Sequence, residues 1–265
     1  KQCSQLVNIL QISITDVNGG AEKVALDLHR TYTAQGHDAH LVVGHKRSAS
    51  TDVIGVWTNE RTAETFLYKV VRRLEYESGV QALGYWRLGR WLRTQETRWD
   101  VVHLHNLHSS YADLGVISYF AANKIPVVQT LHDCWSFTGH CGHFFGCTRW
   151  QTGCGKCPNL LVYPSIRFDA TRLNWLRKRR VYCDARPCLV TPSYWLKSQV
   201  KHSFLHELRC EHISNGVDTT RFVPASQSNA RAQLHLPQDR TILLYVANQG
   251  LNSTTFKDPD LAVNS

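Results

Sequence analysis

The apolar positions of the chain fall into short, nearly continuous runs separated by stretches of helical spacing. Leu6 to Ile14 is the first run, the form expected of a strand covered on both faces. After Asp16 to Gly20, the residues Val24, Ala25, Leu28 and Tyr32 recur at helical spacing up to Gly36, a good carboxyl-terminal cap. Ala39 to Gly44 predicts a second strand and Val53 to Trp57 a short third. Residues 60–98 read as helical and basic, with several arginines among aromatics. Asp100 to His105 is the next strand, followed by a helix ending near Asn123 and a strand from Pro126 into His132. Beyond Pro164 a helix carries Arg172 and the run Arg177 to Arg180. Leu189 to Ser193 is a strand, a helix extends to about His206, and a final short strand lies near Glu211 to Ile213. Strands alternate with helices and no hairpin signal intervenes. The expected class is α/β, a Rossmann-like, doubly wound parallel sheet.

On this reading residues 1–213 are one domain, with a Cys-rich loop over 133–165. Residues 214–240 have linker composition, and 241–265 open a second sheet with the run Thr241 to Ala247. That second domain is expected to be cut short at Ser265. Met is absent throughout, position 1 included, so the numbering is not expected to begin at a natural start. Leu6 to Ile14 is short and interrupted by Asn8 and Gln11, which suits a strand rather than a secretory leader. No stretch approaches the ~18 apolar residues of a membrane span.

The Cys-rich loop changes the picture, because loops this long are usually functional or disordered, and a loop dense in Cys and aromatics is not built for disorder. It holds five of the nine cysteines, with Trp135, His140, His143 and Trp150. Without a secretion signal such thiols are expected to be reduced. Cys141, Cys147, Cys154 and Cys157 close on a C-x-x-C pair and form a candidate structural zinc site, with His140 and His143 as alternate ligands. The plainer alternative is reduced cysteines packed beside Trp135 and Trp150.

The formal charge of +9 implies anionic company, whether phosphates, nucleic acid or an acidic membrane face. Arg177 to Arg180 reads as a solvated helix face that could attract an anionic surface. Gly19 and Gly20 stand between a strand and a helix, where unpaired N–H groups and a positive dipole end suit a phosphate; a tight turn would use the same residues. The dinucleotide fingerprint G-x-G-x-x-G is absent, which argues against a nicotinamide enzyme. His103, His105 and His108 cluster at one strand end and His132 ends another, at the edge where α/β sheets place their sites. We take His103 and His108 as hydrogen-bonded rim histidines and His132 as the functional candidate. Asp133 could orient His132, bind a hydroxyl, or cap the loop.

Gly19-Gly20-Ala21-Glu22, the phrase Asp100 to His105, Thr130-Leu131-His132-Asp133 and Ser214-Asn215-Gly216-Val217-Asp218 form an ordered series. Together they resemble the N-terminal half of family 4 glycosyltransferases, retaining enzymes of the GT-B architecture. The Cys- and Trp-rich loop is similar to the branch that builds exopolysaccharides such as colanic acid. The resemblance implies a cleft between two domains, with Gly19, Gly20 and Asn215 towards the nucleotide-sugar donor. It also implies His132 as the catalytic histidine near the reacting carbon, and His105 and Asp133 towards a saccharide acceptor, one carried on a lipid. It implies a cytoplasmic protein in peripheral contact with an anionic membrane, with no cofactor required for catalysis and no nucleic acid partner. The family's diphosphate-holding pair and paired-glutamate motif would lie beyond Ser265, so the 265-residue chain is not expected to turn over alone. The rival reading is a zinc-stabilised, basic nucleic-acid-binding domain without enzymatic activity, and a third is a remnant with no activity of its own.

Overall fold

The computed structural model describes residues 6–17, 19–57, 62–244 and 246. Among these residues seven strands form one sheet: β1 (Asn8–Thr15), β2 (Asp38–His45), β3 (Val53–Trp57), β4 (Val101–Leu104), β5 (Val127–Thr130), β6 (Cys188–Thr191) and β7 (Cys210–His212). Their order is β3-β2-β1-β4-β5-β6-β7 and every pairing is parallel. The chain winds outward from β1 in one direction and from β4 in the other. The order therefore reverses between these two strands, and their carboxyl ends flank the switch point where such sheets bind ligands.

Strand alternation divides the core. Leu10 and Ile12 of β1, Val102 and Leu104 of β4, and Val42 of β2 enter the main apolar cluster. On the opposite face, Leu41, Val43 and Val53 pack with Ala25 of helix α1 (Gly20–Ala34). The main cluster is roofed by α3 (Tyr85–Thr94), α4 (Gly115–Ala122) and α5 (Thr171–Ala185), which follow α2 (Thr62–Ser78) in the chain. Helix α6 (Tyr194–Lys201) joins β6 to β7.

Gly36 ends α1 as expected, at φ +88 with its N–H bonded to Thr33 O and that of His37 to Tyr32 O. This paired closure favours glycine at the left-handed position. The helical stretch expected over 60–98 is two helices. Gly79, at φ +69, breaks it, and Glu75 accepts hydrogen bonds from the N–H groups of Ala82 and Leu83, holding the turn. A Cβ on Gly79 would lie 2.0 Å from Phe168 O, so glycine is required there. The helix expected to reach His206 stops at Lys201, with Ser203 bonding back to Val200 O.

The chain divides into two compact units, Lys1–Ser214 and Asn215–Ser265. In the second, a short helix α7 (Gln227–Gln233) lies inside the stretch read as linker, capped by the Ser226 hydroxyl. Residues 241–244 carry no strand, and most of the rest of that expected strand lies outside the described residues.

Candidate active site at the carboxyl ends of the central strands

Gln11 of β1 and His103 of β4 are register partners, and His105 stands two residues further along, on the face that α1 covers. His105 is fully buried. Its Nδ1 lies 3.0 Å from His132 Nε2, and its Nε2 lies 3.5 Å from the Gln11 amide nitrogen. Gln11 also donates to the carbonyl of Ala25 at 3.3 Å, so one hydrogen-bonded chain joins α1, β1, β4 and the end of β5. His103 Nε2 pairs with Thr130 Oγ1 at 2.8 Å, and its ring centroid lies 4.4 Å from that of His105.

Burial makes these imidazoles hard to protonate. It lowers the pKa of His132 to about 4 against a small opposing effect of Asp133. Burial, reinforced by the neighbouring imidazoles, lowers His103 to about 4 and holds His105 well below its ordinary value. All three are neutral at physiological pH.

Asp133 does not orient His132. Its Oδ2 accepts from His108 Nε2 at 2.9 Å and its Oδ1 from Trp135 N at 2.9 Å. Burial works to raise the Asp133 pKa, but His108 and the Trp135 N–H outweigh it and hold the carboxyl below its ordinary value. His108, read as a rim histidine, is thus part of the site. It continues into Ser109 Oγ at 3.0 Å, which lies 2.8 Å from the Tyr163 hydroxyl. The Tyr163 pKa is raised first by burial; the Ser109 bond opposes this, and the carboxylates of Asp133 and of Glu22 in α1's first turn add to the rise. The start of α1 and the Asp133 network therefore both lie near Tyr163. His105 is corrected from an acceptor contact to a support, because a fully buried ring behind His132 cannot touch a substrate.

Gly19 caps α1 in extended backbone, φ −164, with no side-chain cap bond. A Cβ there would meet only the movable Glu22 carboxylate, and one on Gly20 would meet nothing within 4 Å. No backbone strain calls for glycine at either position, so what their lack of side chains provides is open space at a helix N-terminus. Asp16, which sequence reasoning passed over, accepts from Arg47 N at 2.8 Å, Ser48 N at 3.0 Å and the Ser48 hydroxyl. It ties the end of β1 to the end of β2, just ahead of the two glycines. Asn215 is the first residue of the second unit, exposed.

The Cys-rich loop is built into the core. Trp135, Phe137 and Trp150 belong to the main apolar cluster, and Trp175 of α5 donates its indole N–H to Trp150 O at 2.7 Å. Lys178 is also buried, so the basic run of α5 is not one solvated face. Its ammonium donates to Trp135 O at 2.6 Å and Thr138 O at 3.0 Å, and lies 3.5 Å from the centre of the Trp135 ring. Burial lowers its pKa to about 7, opposed by Cys141, Cys154 and Asp133.

Cys141, Cys147, Cys154, Cys157 and His140 line one small hollow. As these side chains stand they are not the four-thiolate set expected. Cys154 Sγ accepts from Gly139 N at 3.2 Å, and Cys157 Sγ lies 3.5 Å from both His140 Nε2 and Asn159 O. Among the described residues no three His, Cys, Asp or Glu side chains are disposed to hold a metal ion. Burial raises the Cys141 and Cys154 thiols, the latter to about 12, which suits protonated, packed cysteines.

Doubly wound sheets place their ligand sites at such a switch point, and an open helix N-terminus there suits an anionic group. The family model Glycosyltransferase Family 4 matches residues 18–221, and the chain belongs to that family. Its sheet is accordingly the Rossmann-like fold of a GT-B glycosyltransferase domain. Among curated proteins it is similar to the "Putative colanic acid biosynthesis glycosyl transferase WcaC" of Escherichia coli (strain K12). The two are 29% identical over 232 residues, 80% of this chain and 55% of that protein. The chain thus spans about half the length of the curated relative it matches.

Proposed function

We propose that the protein acts in exopolysaccharide assembly, transferring a sugar from a nucleotide-sugar donor to a saccharide acceptor with retention of anomeric configuration. The observation that carries this is His132, kept neutral by burial at the switch point and paired with buried His105, in a chain of family 4. An acceptor hydroxyl would attack the anomeric carbon on the face from which the diphosphate departs. The bond from that carbon to the phosphate oxygen breaks, and the leaving phosphate takes the hydroxyl's proton. No carboxylate nucleophile is needed. His132 would donate a hydrogen bond to the reacting sugar, and the N–H groups opening α1 at Gly19 and Gly20 would face the donor's phosphate or sugar. The Asp133–His108 pair, Ser109 and Tyr163 would meet acceptor hydroxyls. An acceptor on a lipid carrier at the inner face of the cytoplasmic membrane suits the charge of +9. Among the described residues no helix is long and apolar enough to cross a membrane, so such contact would be peripheral. Family membership favours this reading over a basic nucleic-acid-binding domain.

The test is sugar transfer by the product of the complete reading frame, assayed with membranes and a panel of nucleotide sugars. His132→Ala is expected to lower kcat by about 100-fold or more, the usual cost of removing a hydrogen-bond donor aimed at the transition state. Full activity in His132→Ala would remove the histidine from the mechanism, and no transfer from any nucleotide sugar would remove the reading itself.

A further inference from the structure

Gln11 is a fully buried polar side chain in the middle of β1, and no role described so far requires it. We propose that Gln11 is a positioning residue that fixes the direction of the hydrogen bonds through His105, so that His132 meets its ligand as a neutral imidazole protonated on Nδ1.

The direction follows from the fixed end of the chain. The Ala25 carbonyl can only accept, so the Gln11 group 3.3 Å from it is the amide nitrogen. That nitrogen also faces His105 Nε2, at 3.5 Å, and a donor there requires Nε2 to be the unprotonated nitrogen. A neutral His105 then carries its proton on Nδ1 and donates it across 3.0 Å to His132 Nε2. His132 Nε2 is thereby an acceptor, and the proton of the neutral ring sits on Nδ1, which makes no hydrogen bond among the described residues. Reversing the Gln11 amide would set two acceptor oxygens 3.3 Å apart and strand a buried donor. The orientation present leaves only an acceptor, Gln11 Oε1, without a partner.

Two consequences separate this arrangement from a histidine backed by a carboxylate. His132 Nε2 is occupied by the His105 donor and Nδ1 already carries the proton, so no bare nitrogen faces the ligand and His132 cannot serve as a general base toward it. Nδ1–H can only donate, so the ligand atom opposite His132 is an oxygen lone pair, a sugar hydroxyl or a phosphate oxygen. Naming that ligand rests on the glycosyltransferase reading. The direction of the chain rests on the buried contacts alone.

The experiment is a long-range proton–nitrogen correlation spectrum of the 265-residue chain labelled with nitrogen-15 histidine, recorded at pH 7.5. The His132 cross-peaks are assigned by their loss in His132→Asn. The expected result is His132 with Nδ1 protonated and Nε2 bare, and His105 in the same state. In Gln11→Met, which keeps the volume and removes the donor, the expected result is loss of this single tautomer with the circular dichroism unchanged. His132 protonated on Nε2 in the wild type overturns the proposal, and so does a folded Gln11→Met that keeps the wild-type tautomers. Should Gln11→Met fail to fold, the wild-type spectrum alone decides. The expected tautomer in a protein that transfers no sugar would discard the functional reading and leave the role of Gln11 standing.

Discussion

Histidines buried in the neutral form tie folding to proton concentration. In the unfolded chain an imidazole binds a proton near pH 6.5, whereas folded His103 and His132 do so only near pH 4, and His105 lower than its ordinary value too. The unfolded state therefore holds more protons between these values. Stability is present in full above pH 6.5 and is lost as pH falls from there toward 4, by up to about 1.4 kcal/mol per pH unit for each such histidine. His29, His45 and His140, also lowered first by burial, act with the same sign. Urea midpoints are expected to fall steeply as pH drops below 6.5, and Lys178, whose pKa burial lowers to about 7, adds a fall of the same sign between pH 8 and 7. A midpoint unchanged down to pH 5 would mean that the rings are more open to water than their burial indicates. Part of this site was legible from the chain alone: His105 and His132 stand out because each closes an apolar strand run. Gln11 left a signal as well, a polar residue inside such a run, but its use depends on α1 bringing Ala25 over it. The pairing of His108 with Asp133 left none, since it joins loops from two strands with no fixed spacing between them.

At the scale of elements, the long loop behaves as a segment of core. Trp150 is 2% exposed, packs on Phe137 and Phe144 with ring centroids 5.1 and 4.8 Å away, and bonds Cys147 O through its indole. Trp150→Ala is therefore expected to cost about 3–5 kcal/mol in urea unfolding, as in a buried helix or strand. An ordinary surface loop position would lose within about 0.5 kcal/mol. A loss below about 1 kcal/mol would show that the loop opens without the sheet. The density of aromatics in the loop announced its order in advance. Sequence spacing could not reveal that Lys178 turns inward from a basic run, because the carbonyls that hold it belong to a loop about 40 residues earlier in the chain. Nor could the spacing of four cysteines distinguish ligands from packed thiols; that depends on where each sulfur turns.

At the scale of the molecule, both apolar clusters lie entirely within Lys1–Ser214. A chain ending at Ser214 is expected to unfold cooperatively, with a Tm within a few degrees of that of the 265-residue chain. A much lower Tm would show that residues after Asn215 help to hold the sheet. The succession of strands along the chain was readable because each apolar run was bounded by turn residues and separated by helical spacing. The helix breaks at Gly79 and Lys201 were not, since the local side-chain bonds of Glu75 and Ser203 that close them leave no spacing signal.

The anchors of the Cys-rich loop, Trp175 and Lys178, are both on the helix that follows it. A ribosome releases the loop before it releases its anchors. While the nascent chain ends ahead of α5, β1 to β5 can already pair, but Trp135, Thr138 and Trp150 lack the groups that fix their carbonyls. The carbonyls of Trp135, Thr138 and Trp150 are thus fixed only after most of the strands that present His132 are available.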